Sequence, residues 1–205
     1  DNSINFQSAA GDASPNSPYF IASITKMYTV AVLMRLIDEG KLDLNAPITD
    51  HLPGDLLGRL HVYKGTDYSH QLKVYQLIHQ SSGIPDYFEG HLAEEFKQNR
   101  DHAYSVADTL ATAREMTPFA APDSGKSHYS DTNYQLLGAI IEAITGHSLA
   151  DVFQMWIFDR LGLAHTYLFD CGRPHAGIQP LPLYFKDTCL SLPLAITSER
   201  GAGGI

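Results

Sequence analysis

The sequence predicts an α/β chain of the α+β kind, dominated by helices, and three features predict it. Apolar residues recur at spacings of three and four through residues 23–40, 131–146 and 148–157, the signature of amphipathic helices. Weak alternation over Ile4 to Ala9 and an extended piece at Leu183 to Phe185 supply strand candidates. Stretches rich in Gly and Pro separate these pieces, and there is no internal repeat or low-complexity tract.

In chain order, the strand at Ile4 to Ala9 leads into a loop over Gly11 to Pro18, rich in Gly, Asp, Asn, Ser and Pro. A helix then starts near Ser23. Met27, Val30, Leu33, Met34 and Ile37 mark its buried stripe, and Gly40 suits a left-handed C-cap. Lys41 to Pro47 and Leu52 to Gly54 read as turns around one short helix, and Val62 to His70 has no clear period. Leu72, Val74, Leu77 and Ile78 suggest a short helix ending in Ser81-Ser82-Gly83, which Pro85 cannot continue. Two helices follow, from His91 to about Asn99 and from Ser105 to about Met116. Tyr134, Leu137, Ile141 and Ile144 mark a core helix ending at Gly146, and Ser148 opens another through Leu149, Val152, Phe153, Trp156 and Ile157. Beyond Leu163 the frequency of Gly and Pro, Pro193 included, predicts loops with short extended pieces.

A chain of 205 residues, 44% hydrophobic and 18% charged, suits one globular domain or one domain with a large insertion. A net charge of -9 without any run of Lys or Arg argues against nucleic acid or an anionic membrane as partner. No apolar run approaches the roughly 20 residues that span a bilayer, and residues 1–20 lack the charged-then-apolar order of a secretory signal. Cys171 and Cys189 can pair or stay free, and two cysteines do not fix a compartment.

The chemistry centres on Ser23-Ile24-Thr25-Lys26. One helical turn is 3.6 residues, so the Ser23 hydroxyl and the Lys26 amine project from nearly the same side and can touch. A serine hydroxyl needs an adjacent base at neutral pH, and a desolvated lysine is one of the few side chains that can serve. The helix start adds backbone N–H groups and a positive dipole end. The spacing arises by chance about once in such a chain, so taken alone it favours Ser23 as an N-cap and Lys26 as a solvated lysine. A second candidate is His128-Tyr129-Ser130-Asp131-Thr132-Asn133-Tyr134, just before a core helix. Residues two apart in an extended segment face the same way, which aims Tyr129 and Asp131 into one cleft. A tyrosine beside a lysine can shuttle protons. Asp131 equally suits an N-cap, and Tyr129 an ordinary half-buried aromatic, and for Asp131 the two roles are compatible.

Phe20-x-Ile-x-Ser23-x-x-Lys26, Gly40-Lys41-Leu42-Asp43-Leu44, His79-Gln80-Ser81-Ser82-Gly83-Ile84-Pro85-Asp86 and Tyr129-Ser130-Asp131-Thr132-Asn133-Tyr134-Gln135-Leu136-Leu137-Gly138 together resemble the serine β-lactamase and penicillin-binding-protein superfamily, and most closely its class C branch with the related DD-peptidases and esterases. Leu161-Gly162-Leu163 and Gly203-Gly204-Ile205 are similar to further landmarks in the same order. The resemblance implies a β-lactamase/transpeptidase-like fold, an antiparallel sheet flanked by helices plus an all-helical domain, of which this chain holds mainly the helical part. It implies one incomplete serine hydrolase domain over 1–205, with an α/β part and nucleophile helix over 1–45, a mostly helical region over 46–165 and a return toward the α/β part over 166–205.

The same resemblance implies that Ser23 forms an acyl-enzyme, that Lys26 assists its deprotonation, that Tyr129 completes the proton relay, and that Asp131 and Gln80 contact substrate. One departure is clear: Asp131 stands where the Tyr-x-Asn element has its amide. An ionised carboxylate accepts hydrogen bonds but donates none, and it favours the charged form of Lys26. Read as Ser130-Asp131-Thr132, the stretch resembles the Ser-Asp-Asn element of class A enzymes with Thr132 out of pattern, and Tyr134-x-Leu-Leu-Gly138 favours the first register. The third motif, Lys-Thr-Gly or His-x-Gly, is the largest departure. His175-Ala176-Gly177 has the letters but precedes the Gly203-Gly204-Ile205 landmark, so it reads as a loop. The expectation is a chain that starts after the family's first helix and strand and stops before the third motif, with that motif coming from the rest of the protein or another chain. The backbone N–H of Ser23 is the implied first oxyanion donor, and the third-motif strand the second.

The expected function is a serine hydrolase acting through an acyl-enzyme on a lactam, a D-Ala-type peptide or an ester. The alternatives are a non-catalytic binding or regulatory relative and, further off, a folded helical interaction domain. No cofactor is implied, because neither a Walker loop nor a Gly-x-Gly-x-x-Gly follows a strand. No metal is implied either, since His61, His70 and His79 share no coherent face and no His-Glu-x-x-His occurs. The resemblance favours a periplasmic or secreted location.

Overall fold

In the computed structural model, residues 6–91, 94–95, 98, 101–168, 180–185, 187–190 and 193–205 are described. A 3₁₀ turn over Ala22–Ile24 runs straight into helix α1, Thr25–Asp38. The buried side of α1 is Thr25, Lys26, Thr29, Val32, Leu33 and Leu36, while Met27 is 66% and Met34 37% exposed. The stripe expected from Met27 and Met34 is thus displaced around the helix. The sequence carries two adjacent apolar stripes at the same period, and the two threonines and the lysine of the buried one hide it from a reading that counts only apolar residues. Gly40 takes φ +67° and closes the helix, with the Lys41 N–H donating to Leu36 O.

After α1 come a 3₁₀ turn at Ile48–Asp50 and the short helix α2, Gly54–Leu57. Val62–Tyr63 (β1) and Thr66–Asp67 (β2) then pair antiparallel, Val62 opposite Asp67. This hairpin lies in the stretch that shows no period. Its one local signal is the Lys64-Gly65 pair, both at positive φ, as a tight two-residue turn requires. Helix α3, Val74–Ile78, ends before Ser81-Ser82-Gly83 as expected. Ser105 caps α4, Val106–Arg114, through a capping box with Asp108.

Helix α5, Asp131–Thr145, is the centre of the molecule, with Leu136, Leu137, Ile140 and Ile141 fully buried. It packs on α1, α3 and α4 and ends at Gly146, φ +68°. Ser148 caps α6, Leu149–Phe153. The single helix expected there is interrupted by a π turn at Gln154–Phe158 before α7, Asp159–Leu161. Met27, Tyr28, Trp156 and Leu161 line an apolar groove on the outer side of α1.

Leu183–Phe185 (β3) is extended as expected and pairs antiparallel with Thr188–Leu190 (β4). Pro193, expected in a loop, is instead the first residue of α8, Pro193–Thr197. Proline suits a first helical position because that N–H has no intrahelical partner, and Asp101 Oδ1 accepts the next two N–H groups, of Leu194 and Ala195. The strand expected at Ile4 to Ala9 lies outside the described residues up to residue 5, and residues 6–9 have no regular structure. Most of the helix expected from His91 lies outside them too, as do Cys171 and His175-Ala176-Gly177. Cys189 is exposed and unbridged. Among the described residues no single helix is long and apolar enough to cross a membrane.

Gly83 sits where backbone and space both demand glycine. Its φ is +76°, and a Cβ there would lie 2.1 Å from the Ala120 carbonyl oxygen. Gly83→Ala is expected to cost about 3 kcal/mol, combining left-handed strain with a backbone clash that cannot relax by rotating a side chain. Urea melts check this, and a loss below about 0.5 kcal/mol overturns it.

Candidate active site

Three segments distant in sequence converge at the start of α1. Ser23 lies in the 3₁₀ turn, exposed, immediately after Ala22 at φ +48°. Such a left-handed turn is uncommon for a residue other than glycine, and it presents the serine outward at the junction. Ser23 Oγ is 2.6 Å from Tyr129 Oη and accepts from Lys26 Nζ at 3.0 Å. The turn-to-turn stacking read from the sequence is therefore present. Lys26 is 8% exposed. It also donates to the Ala202 carbonyl at 2.8 Å and lies 2.6 Å from Asp131 Oδ1, off the direction of a hydrogen bond, so that contact is an ion pair. Its ammonium sits 4.8 Å from the centre of the Tyr129 ring and 5.3 Å from that of Tyr134.

Burial is the largest single influence and pushes the Lys26 pKa down, but Asp131 and Tyr129 together outweigh it and leave it raised. Ser23 Oγ and the Ala202 carbonyl accept from the ammonium, and Asp131 lies against it as an ion pair. The raised pKa keeps Lys26 charged between Ser23 and Asp131, and Tyr129 Oη is the other polar atom on the Ser23 hydroxyl. Asp131 is brought into the site but is not the N-cap the sequence offered: it is the first residue of α5, Ser130 holds the cap position, and no side chain caps the helix there.

Gln80, at φ +58°, is placed behind the site. Its Oε1 accepts from the Ser130 N–H and from Asn133 Nδ2, and its backbone carbonyl accepts from the His128 N–H. Its Nε2 is enclosed and unpartnered. Gln80 thus holds the segment 128–133 that presents Tyr129. Asn133 turns away from Ser23, its Oδ1 accepting from the Ser82 hydroxyl at 2.7 Å.

Sequence reasoning missed the turn Glu199–Ile205, which backs Lys26. Gly201 O accepts from the Thr29 hydroxyl, Ile205 N–H donates to Thr25 Oγ1, and Ile205 O accepts from the Ile21 N–H. Backbone carbonyls leave no residue-specific signal beyond the Gly203-Gly204 landmark. It also missed two buried acids. Burial, reinforced by Asp131, raises Asp86 to about 6 and Glu199 to about 8. Among the described residues, no group of three or more His, Cys, Asp or Glu is placed to hold a metal ion.

These two acids make stability fall with pH. Their folded pKa values lie above those of the unfolded chain, near 4, so the folded form binds more protons between the two values and loses relative stability as pH rises from about 4 toward 8. Glu199→Gln cannot ionise. Its stability relative to the parent is expected to grow by a few kcal/mol from pH 5 to pH 8 and level off above it. Calorimetric melts across that range check this, and a difference independent of pH overturns it.

The Beta-lactamase family profile matches residues 1–201. A putative D-alanyl-D-alanine carboxypeptidase of Salmonella paratyphi B is 34% identical over 161 residues, covering 75% of this chain and 34% of the relative, so the chain spans about a third of the length of the curated relatives it matches. A D-stereospecific amidohydrolase from Streptomyces sp. superposes with a TM-score of 0.78 at 27% identity, over 95% of this chain and 58% of the other. The octameric penicillin-binding protein homologue from Pyrococcus abyssi gives 0.68 at 24% identity, over 92% and 42%. The fold is therefore β-lactamase/transpeptidase-like, as the sequence resemblance implies, and the described part of it is helix-rich with small antiparallel sheets.

Proposed function

We propose a function from one premise: the chain belongs to the Beta-lactamase family. On that premise the proposed activity is that of a serine hydrolase working by acyl transfer, with Ser23 as nucleophile, Tyr129 as proton carrier and Lys26 as the fixed positive charge between them. The observation that carries this reading is the contact of one exposed hydroxyl, Ser23 Oγ, with both Tyr129 Oη at 2.6 Å and Lys26 Nζ at 3.0 Å. These are separations at which protons are passed and developing charge is stabilised.

In the proposed cycle Tyr129 relays protons through its oxygen, beside the Lys26 ammonium. Ser23 Oγ attacks the substrate carbonyl carbon and its proton moves to the Tyr129 oxygen. Tyr129 returns that proton to the departing nitrogen or oxygen, leaving Ser23 as an ester. Water, giving a proton to the same oxygen, then attacks the ester carbonyl; the bond from that carbon to Ser23 Oγ breaks, Tyr129 passes the proton to Ser23 Oγ, and the acid is released. The substrate class we favour is an amide, lactam or ester next to a D-configured residue. In support, the two relatives of highest identity quoted above are named for D-alanyl-D-alanine and for D-stereospecific amide hydrolysis.

Incubation of the full chain with a penicillin or a fluorophosphonate, followed by peptide mass mapping, tests the reading. The adduct is expected on the peptide containing Ser23. An adduct confined to another residue overturns the assignment. The three partners that occupy Lys26 favour a second reading, a non-catalytic binding protein. Substrate-like peptides bound without any adduct from pH 5 to pH 10 would select it.

A further inference from the structure

The buried carboxyl of Glu199 has no place in the cycle above, yet it lies under the turn that backs Lys26. Glu199 is 7% exposed. Its Oε2 sits 1.8 Å from where a Cβ on Gly203 would be, so the carboxyl is laid against the α-carbon of Gly203. Glu199 also starts the turn itself, its carbonyl accepting from the Ala202 N–H at 2.7 Å. The carbonyl of that same residue, Ala202, three along from Glu199, is the one that accepts from Lys26 Nζ. Side chain and main chain of Glu199 therefore hold the same short turn from two sides. Among the described residues, the charged or titratable groups facing Glu199 are Lys26 from α1, Asp131 from α5, and Asp86 and Tyr87 from the segment before α4. Lys26 is the only cation in that set.

We propose that Glu199 is a positioning residue for the Ser23 site, acting as an uncharged carboxylic acid that packs on Gly203 and fixes the Ala202 carbonyl against Lys26. The charge count supports the neutral form. Lys26 offsets Asp131, and above about pH 6 Asp86 adds a second carboxylate, so an ionised Glu199 would put a further buried anion beside one cation. As an acid it fills the space without adding to the field at Lys26. As an anion it repels Asp131, draws on the same ammonium and strengthens the hold on the Lys26 protons. The inference rests on the proposed role of Ser23 for its rate readout but not for its spectroscopic one.

The test uses the full chain in five forms: parent, Glu199→Gln, Glu199→Ala, Gly203→Ala and the Glu199→Ala, Gly203→Ala double variant. Acylation by a fluorophosphonate is followed from pH 6 to pH 10, and the Lys26 Nζ resonance is followed by ¹⁵N-lysine NMR over the same range. Glu199→Ala is expected to slow acylation at pH 7 at least tenfold, and Glu199→Gln, which keeps shape and neutrality, to recover most of that loss. The parent resonance is expected to inflect near pH 8, and Glu199→Gln to remove that inflection. Gly203→Ala, which displaces the carboxyl, is expected to reproduce the alanine variant, with the double variant no slower than either. An inflection near pH 8 that persists in Glu199→Gln, or is absent from the parent, overturns the proposal. Equal rates for the glutamine and alanine variants also overturn it. If the parent is not acylated at all, the serine-hydrolase reading fails instead, and the Lys26 resonance alone decides on Glu199. If Glu199→Ala does not fold, the parent and Glu199→Gln titrations still decide.

Discussion

Ser23→Ala is expected to abolish acylation and to lower turnover by about 10⁶-fold, the scale on which a serine nucleophile is felt when nucleophile and proton carrier act as a unit. Nothing else in the site can take over. Thr25 is buried and accepts from the Ile205 N–H, and Tyr129 has its oxygen on the hydroxyl being removed. The fold is expected to survive, because Ser23 is exposed and its side chain touches only Tyr129 and Lys26 among the hydrogen bonds of the site. Stability within about 0.5 kcal/mol of the parent is the corresponding expectation. Steady-state rates on a D-alanyl amide or an activated ester, with a melt of the same sample, measure both at once. Turnover retained within tenfold would remove Ser23 from the nucleophile's role.

Lys26→Met is expected to be the most destabilising change in the site. It keeps the length and apolar stem of the side chain but deletes the cation that offsets Asp131. Breaking a buried ion pair from one side typically costs about 3–5 kcal/mol, because the partner charge stays buried and unpaired. Here the orphan lies among further acids, Asp86 and Glu199. The cost should therefore be pH-dependent: largest at pH 8 and smaller at pH 5, where the acids hold protons. The second change Asp131→Asn should restore much of the lost stability, since the pair is then removed rather than broken. Urea melts of the two single variants and the double at both pH values measure this. A loss unaffected by pH and not relieved by Asp131→Asn would show that Lys26 contributes by packing alone.

These expectations separate what could be read along the chain from what could not. The Ser23-to-Lys26 contact follows from helical geometry within one turn, and the structure has it at 3.0 Å. The left-handed ends at Gly40 and Gly146, the capping by Ser105 and Ser148, and the buried stripe of α5 were legible for the same reason, being local matters of backbone conformation and period. The side of α1 that is buried was not. Met27 and Met34 look like core, but the core is chosen by what α5 offers across the interface, and it accepted two threonines and a lysine. The β1–β2 hairpin and the helix beginning at Pro193 escaped because one rests on a two-residue turn and the other on a carboxylate, that of Asp101, 93 positions from the Leu194 N–H it accepts from.

The sequence by itself determined the family, the order of its landmarks and the candidates for acyl-transfer chemistry, because these depend on residue type and short spacing. Only the tertiary structure decided the charge that Lys26 carries. Asp131 is 105 residues away along the chain but 2.6 Å away in space, the Ala202 carbonyl reaches the same ammonium from 176 residues away, and Glu199 lies buried beneath that turn. Charge–charge energies in a buried site depend on separation and solvent exclusion, and neither quantity is a property of the linear chain.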